Sequence, residues 1–146
     1  IGILNLHTGL SPYVKGGPNC TNWCIATEQF HLIGNTIMWI DKGIDTGNIL
    51  ATEFTPITGN ENLSALHLKV MDHAHDLYVR AIAYLAKGER QSIPQSTIAK
   101  GTTYYTKQWT LAQKFKLVGN FGKLKNKVQS GEIVQLQKEI KTVGLK

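Results

Sequence analysis

The chain has 146 residues, a formal net charge of +6, 42% hydrophobic residues and 18% charged ones. That is the length of one ordinary domain and the balance of a globular chain rather than a disordered one. No apolar run approaches the roughly 20 residues of a membrane helix, and the Cys count builds no disulfide framework, so a reducing cytoplasm is the expected compartment.

The opening "IGILNL" predicts a short buried strand, and it lacks the basic flank of a secretory signal. "HTGLSPYVKGGPN" is rich in Gly, Pro and Ser and predicts a loop. Pro18 is expected in the first turn of a helix over "NCTNWCIATEQ". "NTIMWID" and "ILATEFTPI" predict two strands, joined by the turn residues "KGIDTGN" into a hairpin-like unit. The clearest element follows, in "NLSALHLKVMDHAHDLYVRAIAYLAKG". Leu63, Leu66, Val70, Leu77, Ala81 and Leu85 mark one face of a long amphipathic helix, and Gly88 ends it. "ERQSIPQSTIAKGTTYYT" reads as an irregular linker, with two short helices after it, over "WTLAQKFKLV" and "EIVQLQKEIKTV". Strand, helix, strand pair and long helix together are α/β in order.

The charge is uneven. Residues 1–106 carry seven Lys/Arg against eight Asp/Glu, whereas residues 107–146 carry nine Lys against two Glu. This basic end is either a solvated surface segment or one that faces a polyanion such as nucleic acid.

Asn5 and His7 lie two apart, which in a strand puts both side chains on one face. An amide and an imidazole there can aim two N–H groups at one oxygen, as oxyanion stabilisation requires. The plainer alternative is a strand end whose polar groups satisfy backbone. Asp41 and Asp45 flank a turn that fails as a calcium loop, because Thr46 and Thr52 stand where Gly and Glu are needed. Asp45 can instead be presented into a cleft to orient an imidazole. Lys15, between an aromatic residue and two Gly, offers a cation to an anion or belongs to a plain loop. Cys20 and Cys24 fall short of a zinc ligand set and read as buried thiols. His73 and His75 point to different faces of their helix.

Together these motifs resemble the formyltransferase family that uses 10-formyltetrahydrofolate. That family includes methionyl-tRNA, glycinamide ribonucleotide and nucleotide-amino-sugar formyltransferases. The resemblance rests on "NLHTGLSPYVKGG" and "GNTIMWIDKGIDTGNIL", which carry an Asn-x-His strand end and an Asp-x-Gly-x-Asp-Thr-Gly turn, and it covers roughly residues 1–90. It implies an α/β formyltransferase-type fold, with residues 1–98 as the second half of a catalytic domain. Residues 99–146 would then be a linker and a Lys-rich, partly helical tail, and the first half of the domain would lie upstream of residue 1.

By the same resemblance, Asn5, His7 and Asp45 are the catalytic trio, and Gly9, Leu10, Lys15, Gly16 and Asp41 contact substrate. A primary amine would attack the formyl carbon of the folate donor. Asn5 and protonated His7 would hold the oxyanion, with Asp45 raising the imidazole pKa. Gly9, Ser11 and Lys15 depart from the family's usual Ser, Leu and Arg. Methionyl-tRNA members of the family carry a C-terminal barrel, which the helical pattern of the last forty residues argues against, so the resemblance implies a nucleotide-linked amino sugar or similar small acceptor. Methionyl-tRNA is the alternative, with the Lys-rich tail as its contact. Two readings of other kinds are a nucleic-acid-binding module and a non-catalytic formyltransferase-like protein.

Overall fold

The computed structural model describes residues 2–146. Its central sheet has three strands in the order β1-β3-β4, and every pairing is antiparallel. Strand β1 (Leu4–His7) begins later than the apolar run suggests and continues through the polar pair. The side chains alternate: Leu4 and Leu6 pack toward Ile37, Leu50, Leu77 and Ala81, which leaves Asn5 and His7 to the opposite face. A second, smaller ladder is hidden in the expected loop and linker. There β2 (Val14–Gly16) will pair in parallel with a strand nearly ninety residues later.

Helix α1 (Cys20–Ala26) starts one residue beyond Asn19, whose side chain accepts from the Asn22 N–H at 3.0 Å. Pro18 therefore precedes the cap instead of sitting in the first turn. Almost the whole helix is buried, because later segments cover its outer side. The hairpin forms as expected, from β3 (Gly34–Trp39) and β4 (Ile49–Phe54), with a register shift between Ile37 and Met38.

Helix α2 (Leu63–Ala86) buries Leu66, Val70, Ala74, Leu77, Ala81 and Tyr84, one stripe at steps of three and four. Each fully buried Leu or Val is worth roughly 1.5–3 kcal/mol. Asn62 caps its first turn by accepting from the Ala65 N–H at 2.8 Å, and Gly88 adopts φ +89° just past its end. His73 turns inward to Asn35 and Glu53 while His75 stays exposed. Among the described residues no helix is long and apolar enough to cross a membrane.

The remaining chain holds β5 (Thr102–Tyr104), the parallel partner of β2, and then three helices where two were expected. These are α3 (Leu111–Phe121), α4 (Leu124–Gln129) and α5 (Glu132–Gln137). Gly131, at φ +75°, separates the last two. The Lys-rich segment is not a loose appendage. Leu117, Leu124 and Ile133 join Leu10, Cys24, Ile25 and Phe30 in one apolar core. Asn120 donates to the Ile25 and Ala26 carbonyls at 3.2 and 3.0 Å, satisfying the end of α1. The chain then returns to the sheet, where the Val143 carbonyl accepts from the Thr52 N–H at 2.7 Å. Most lysines of this segment point to solvent, the outcome of apolar residues turning inward at helical spacing.

Candidate active site

Two elements bring Asn5, His7 and Asp45 together. Asn5 and His7 leave the same face of β1, and Asp45 comes from the β3–β4 turn. The Asn5 Nδ2 lies 3.5 Å from Asp45 Oδ1, and His7 Nδ1 lies 3.5 Å from Asp45 Oδ2. Both contacts are at the long limit of a hydrogen bond. Gly16 completes the hold on the carboxylate: its N–H donates to Asp45 Oδ2 at 3.1 Å. Gly16 has φ +94°, and a Cβ there would meet the Tyr104 carbonyl oxygen at 2.0 Å, so only glycine fits.

The turn itself is held under strain. Asp45 is a non-glycine residue at φ +51°, a conformation that persists only when its surroundings impose it. Two neighbours do so. Gln95 donates from Nε2 to the Asp45 carbonyl at 2.6 Å and to the Gly47 carbonyl at 2.9 Å. Asp41 accepts from the Gly43 N–H and the Thr46 hydroxyl, and those bonds hold its carboxyl below the usual range. Asp41 thus spends its observed bonds on shaping the turn.

His7 departs from expectation. Burial lowers its pKa, and the pull of Asp45 in the other direction does not make up the difference. At neutral pH the imidazole is therefore neutral. Nδ1 faces Asp45, and a neutral ring that carries its proton there keeps the lone pair on Nε2. Nε2 lies 3.6 Å from the Cys20 sulfur. Burial pushes the Cys20 thiol up to about 12, so it stays protonated.

The expected substrate contacts divide. Lys15 is half-buried on β2 and lines a cleft beside the turn. Gly9 is buried against His7 and Cys20, where an added Cβ would lie 2.5 Å from His7 Nε2 and 2.9 Å from the sulfur. The cysteine sulfur fills the space that a side chain at position 9 would need. Leu10 is a correction: it has no exposed surface and belongs to the apolar core, so its side chain touches no substrate.

Cys20 and Gln95 were missed by sequence reasoning as parts of the site. Nothing local in "SIPQSTIAKG" marks Gln95, which reaches the turn from fifty residues away. Two cavities flank that turn. One, of about 220 Å³, is lined by Asn5, Trp39, Ile40, Ile44 and Asp45 among others. The other, of about 470 Å³, runs between Lys15 and Lys100, and Thr46 lines both.

The family profile described as formyl transferase matches residues 1–82, more than half of the chain. The chain belongs to the formyl transferase family. Among curated relatives, the methionyl-tRNA formyltransferase of Syntrophus aciditrophicus is 36% identical over 95 residues, covering 65% of this chain and 30% of the relative. That of Halalkalibacterium halodurans is 35% identical over 94 residues, covering 64% of this chain and 29% of the relative. The chain thus spans about a third of the length of the curated relatives it matches.

Solved formyltransferases share the fold. PseJ from Anoxybacillus kamchatkensis, in complex with UDP-4,6-dideoxy-4-formamido-L-AltNAc and tetrahydrofolate, superposes with a TM-score of 0.63. It is 24% identical, with 73% of this chain and 53% of that one covered. A 4-N formyltransferase from Francisella tularensis superposes with a TM-score of 0.64 at 22% identity, covering 80% of this chain and 51% of that one.

Proposed function

We propose that this chain carries the catalytic trio of a formyltransferase that moves the formyl group of 10-formyltetrahydrofolate to the primary amine of a nucleotide-linked amino sugar. The observation that carries the proposal is the convergence of Asn5, His7 and Asp45 across forty residues of sequence. The 220 Å³ cavity suits the donor's flat ring. Trp39 and the exposed side chains of Ile40 and Ile44 supply apolar walls beside Asn5.

Neutral His7 acts first as the base that takes the proton of the attacking amine. The imidazolium so formed is stabilised by Asp45 and, with the Asn5 amide, faces the oxygen that gains charge; as the bond between the formyl carbon and N10 of the folate breaks, the imidazolium returns its proton to that leaving nitrogen. One such donor is worth roughly 3–4 kcal/mol in the transition state. Asn5 also keeps the Asp45 carboxylate oriented toward His7.

The helical, packed end of the chain supports a small acceptor. The names of the curated relatives favour methionyl-tRNA as a second reading, with the Lys-rich helices as its contact. The test is formyl transfer by the full protein from 10-formyltetrahydrofolate, offered a dTDP-linked amino sugar and methionyl-tRNA side by side. Transfer to the sugar, lost about 1,000-fold in His7→Ala, is the expected result. Undiminished turnover in that variant removes the mechanism, and transfer to methionyl-tRNA alone selects the second reading.

A further inference from the structure

We propose that the outward face of α3 docks on an anionic membrane surface, with Leu111, Phe115 and Val118 entering the headgroup boundary and lysines on either side meeting lipid phosphates. The proposal goes beyond the formyl transfer proposed above and does not depend on it. Lying on a bilayer needs no spanning segment.

Helical spacing defines the face. Leu111, Phe115 and Val118 follow one another at steps of four and three, so they form one stripe. They are 66%, 70% and 74% exposed, whereas Leu117, turned the other way, is buried in the core. The outer side is open at Gly119 too, where an added Cβ would meet no other part of the chain within 4 Å. Single exposed apolar side chains are ordinary, but three large ones in a row on one helix face mark an interaction site.

The surrounding charge selects the partner. Residues 107–131 hold six lysines and no Asp or Glu. Lys123 pairs with Glu28 and Lys127 with Glu132. Lys107, Lys114, Lys116 and Lys125 have no carboxylate partner among the described residues. At about 100° per residue, Lys114 falls on one side of the stripe and Lys116 on the other, past Ala112 and Gly119. Lysines so placed lay their stems along apolar surface and keep their ammonium groups at the level of the phosphates.

Other occupants fit this face less well. A second copy would bring two clusters of unpaired lysines face to face. Nucleic acid would satisfy the lysines and leave the apolar stripe in water. A protein partner would need an acidic groove cut for a convex ridge of three large side chains, whereas lipid headgroups part around such a ridge.

The experiment is flotation of the full protein with vesicles of phosphatidylcholine alone or mixed equally with phosphatidylglycerol. Binding to the mixed vesicles should be at least about tenfold tighter. Phe115→Gln should weaken it about tenfold, the order that burial of one large apolar side chain supplies. Replacing both Lys114 and Lys116 by Gln should weaken it about 25-fold, roughly fivefold for each lysine. Phe115→Gln should keep both the melting temperature and formyl transfer in solution, because the side chain faces outward and Gln is a good helix former.

Absence of binding to the mixed vesicles overturns the proposal, and so does equal binding to both kinds. Binding that Phe115→Gln leaves intact and tRNA displaces also overturns it, and assigns the lysines to nucleic acid. A melting temperature lowered by more than about 5 °C in Phe115→Gln overturns it as well, because the stripe is then covered within the full protein.

Discussion

At position 9 a single missing carbon keeps the site open. The Gly9 Cβ that is absent would collide with His7 Nε2 and with both Cβ and Sγ of Cys20. Neither side chain has free space behind it, since Cys20 is buried and the imidazole is held toward Asp45. Gly9→Ala should therefore push the imidazole off its line. A displacement near 1 Å can cost a catalytic group about 100-fold, and we expect kcat to fall by that order. Stability should drop by roughly 1–3 kcal/mol, the usual result of overpacking. Adding Cys20→Ala removes the clash with the sulfur, one of the three, and the room it leaves should restore part of the rate. A Gly9→Ala protein with normal kcat would show that His7 need not sit where it does.

At the scale of elements, what the sequence revealed depended on length and periodicity. Helix α2 was legible because its apolar stripe repeats over 24 residues, and the β3–β4 hairpin because turn residues separate two β-branched runs. That Asn5, His7 and Asp45 meet was legible through the family resemblance, which joined the Asn-x-His strand end to the Asp turn; spacing within the strand fixes only the shared face of Asn5 and His7. The β2–β5 ladder was not. Each strand is three residues long, and each exists only through its distant partner. Leu10 was misplaced because a loop residue has no periodicity to say which way it points. The direction of the His7 pKa was misjudged for a related reason: the charge of Asp45 is visible in the sequence, but the burial that outweighs it is not.

The ladder makes its own prediction. Gly101 allows the two strands to meet, since a Cβ there would overlap the Pro12 carbonyl oxygen at 1.4 Å. Tyr104, on β5, stacks on Trp23 with ring centroids 4.3 Å apart, and Trp23 donates to the Gly17 carbonyl at 3.1 Å. Together they fix Gly16, which donates to Asp45. Gly101→Ala should force the ladder apart, lower the melting temperature by several degrees and reduce activity with it. A variant equally stable and fully active would mean that the ladder can shift without moving the turn.

For the whole molecule, His7 and the half-buried His31 and His67 shape the response to acid. Burial lowers the pKa values of His7, His31 and His67 below the usual 6.5. The unfolded chain binds protons at these residues before the folded chain does. The folded state is thus at no disadvantage above about pH 6.5 and loses stability as pH falls from there through the lowered folded values. A second loss follows in the carboxylate range. Burial works against the charge of Glu61, but Lys69 and the Thr58 hydroxyl and backbone N–H bring its pKa to about 2. That stability is present above about pH 4.5 and disappears as pH falls toward 2. Denaturant midpoints at pH 7.5, 5.5 and 3 should therefore decline in two stages. Activity should share only the first, because neutral His7 is the proposed base and kcat/KM should rise with pH through a value below 6.5. A midpoint that rises between pH 7.5 and 5.5 would contradict the burial of these imidazoles. A rate profile that falls with rising pH over the same range would mean that His7 must enter the reaction already protonated.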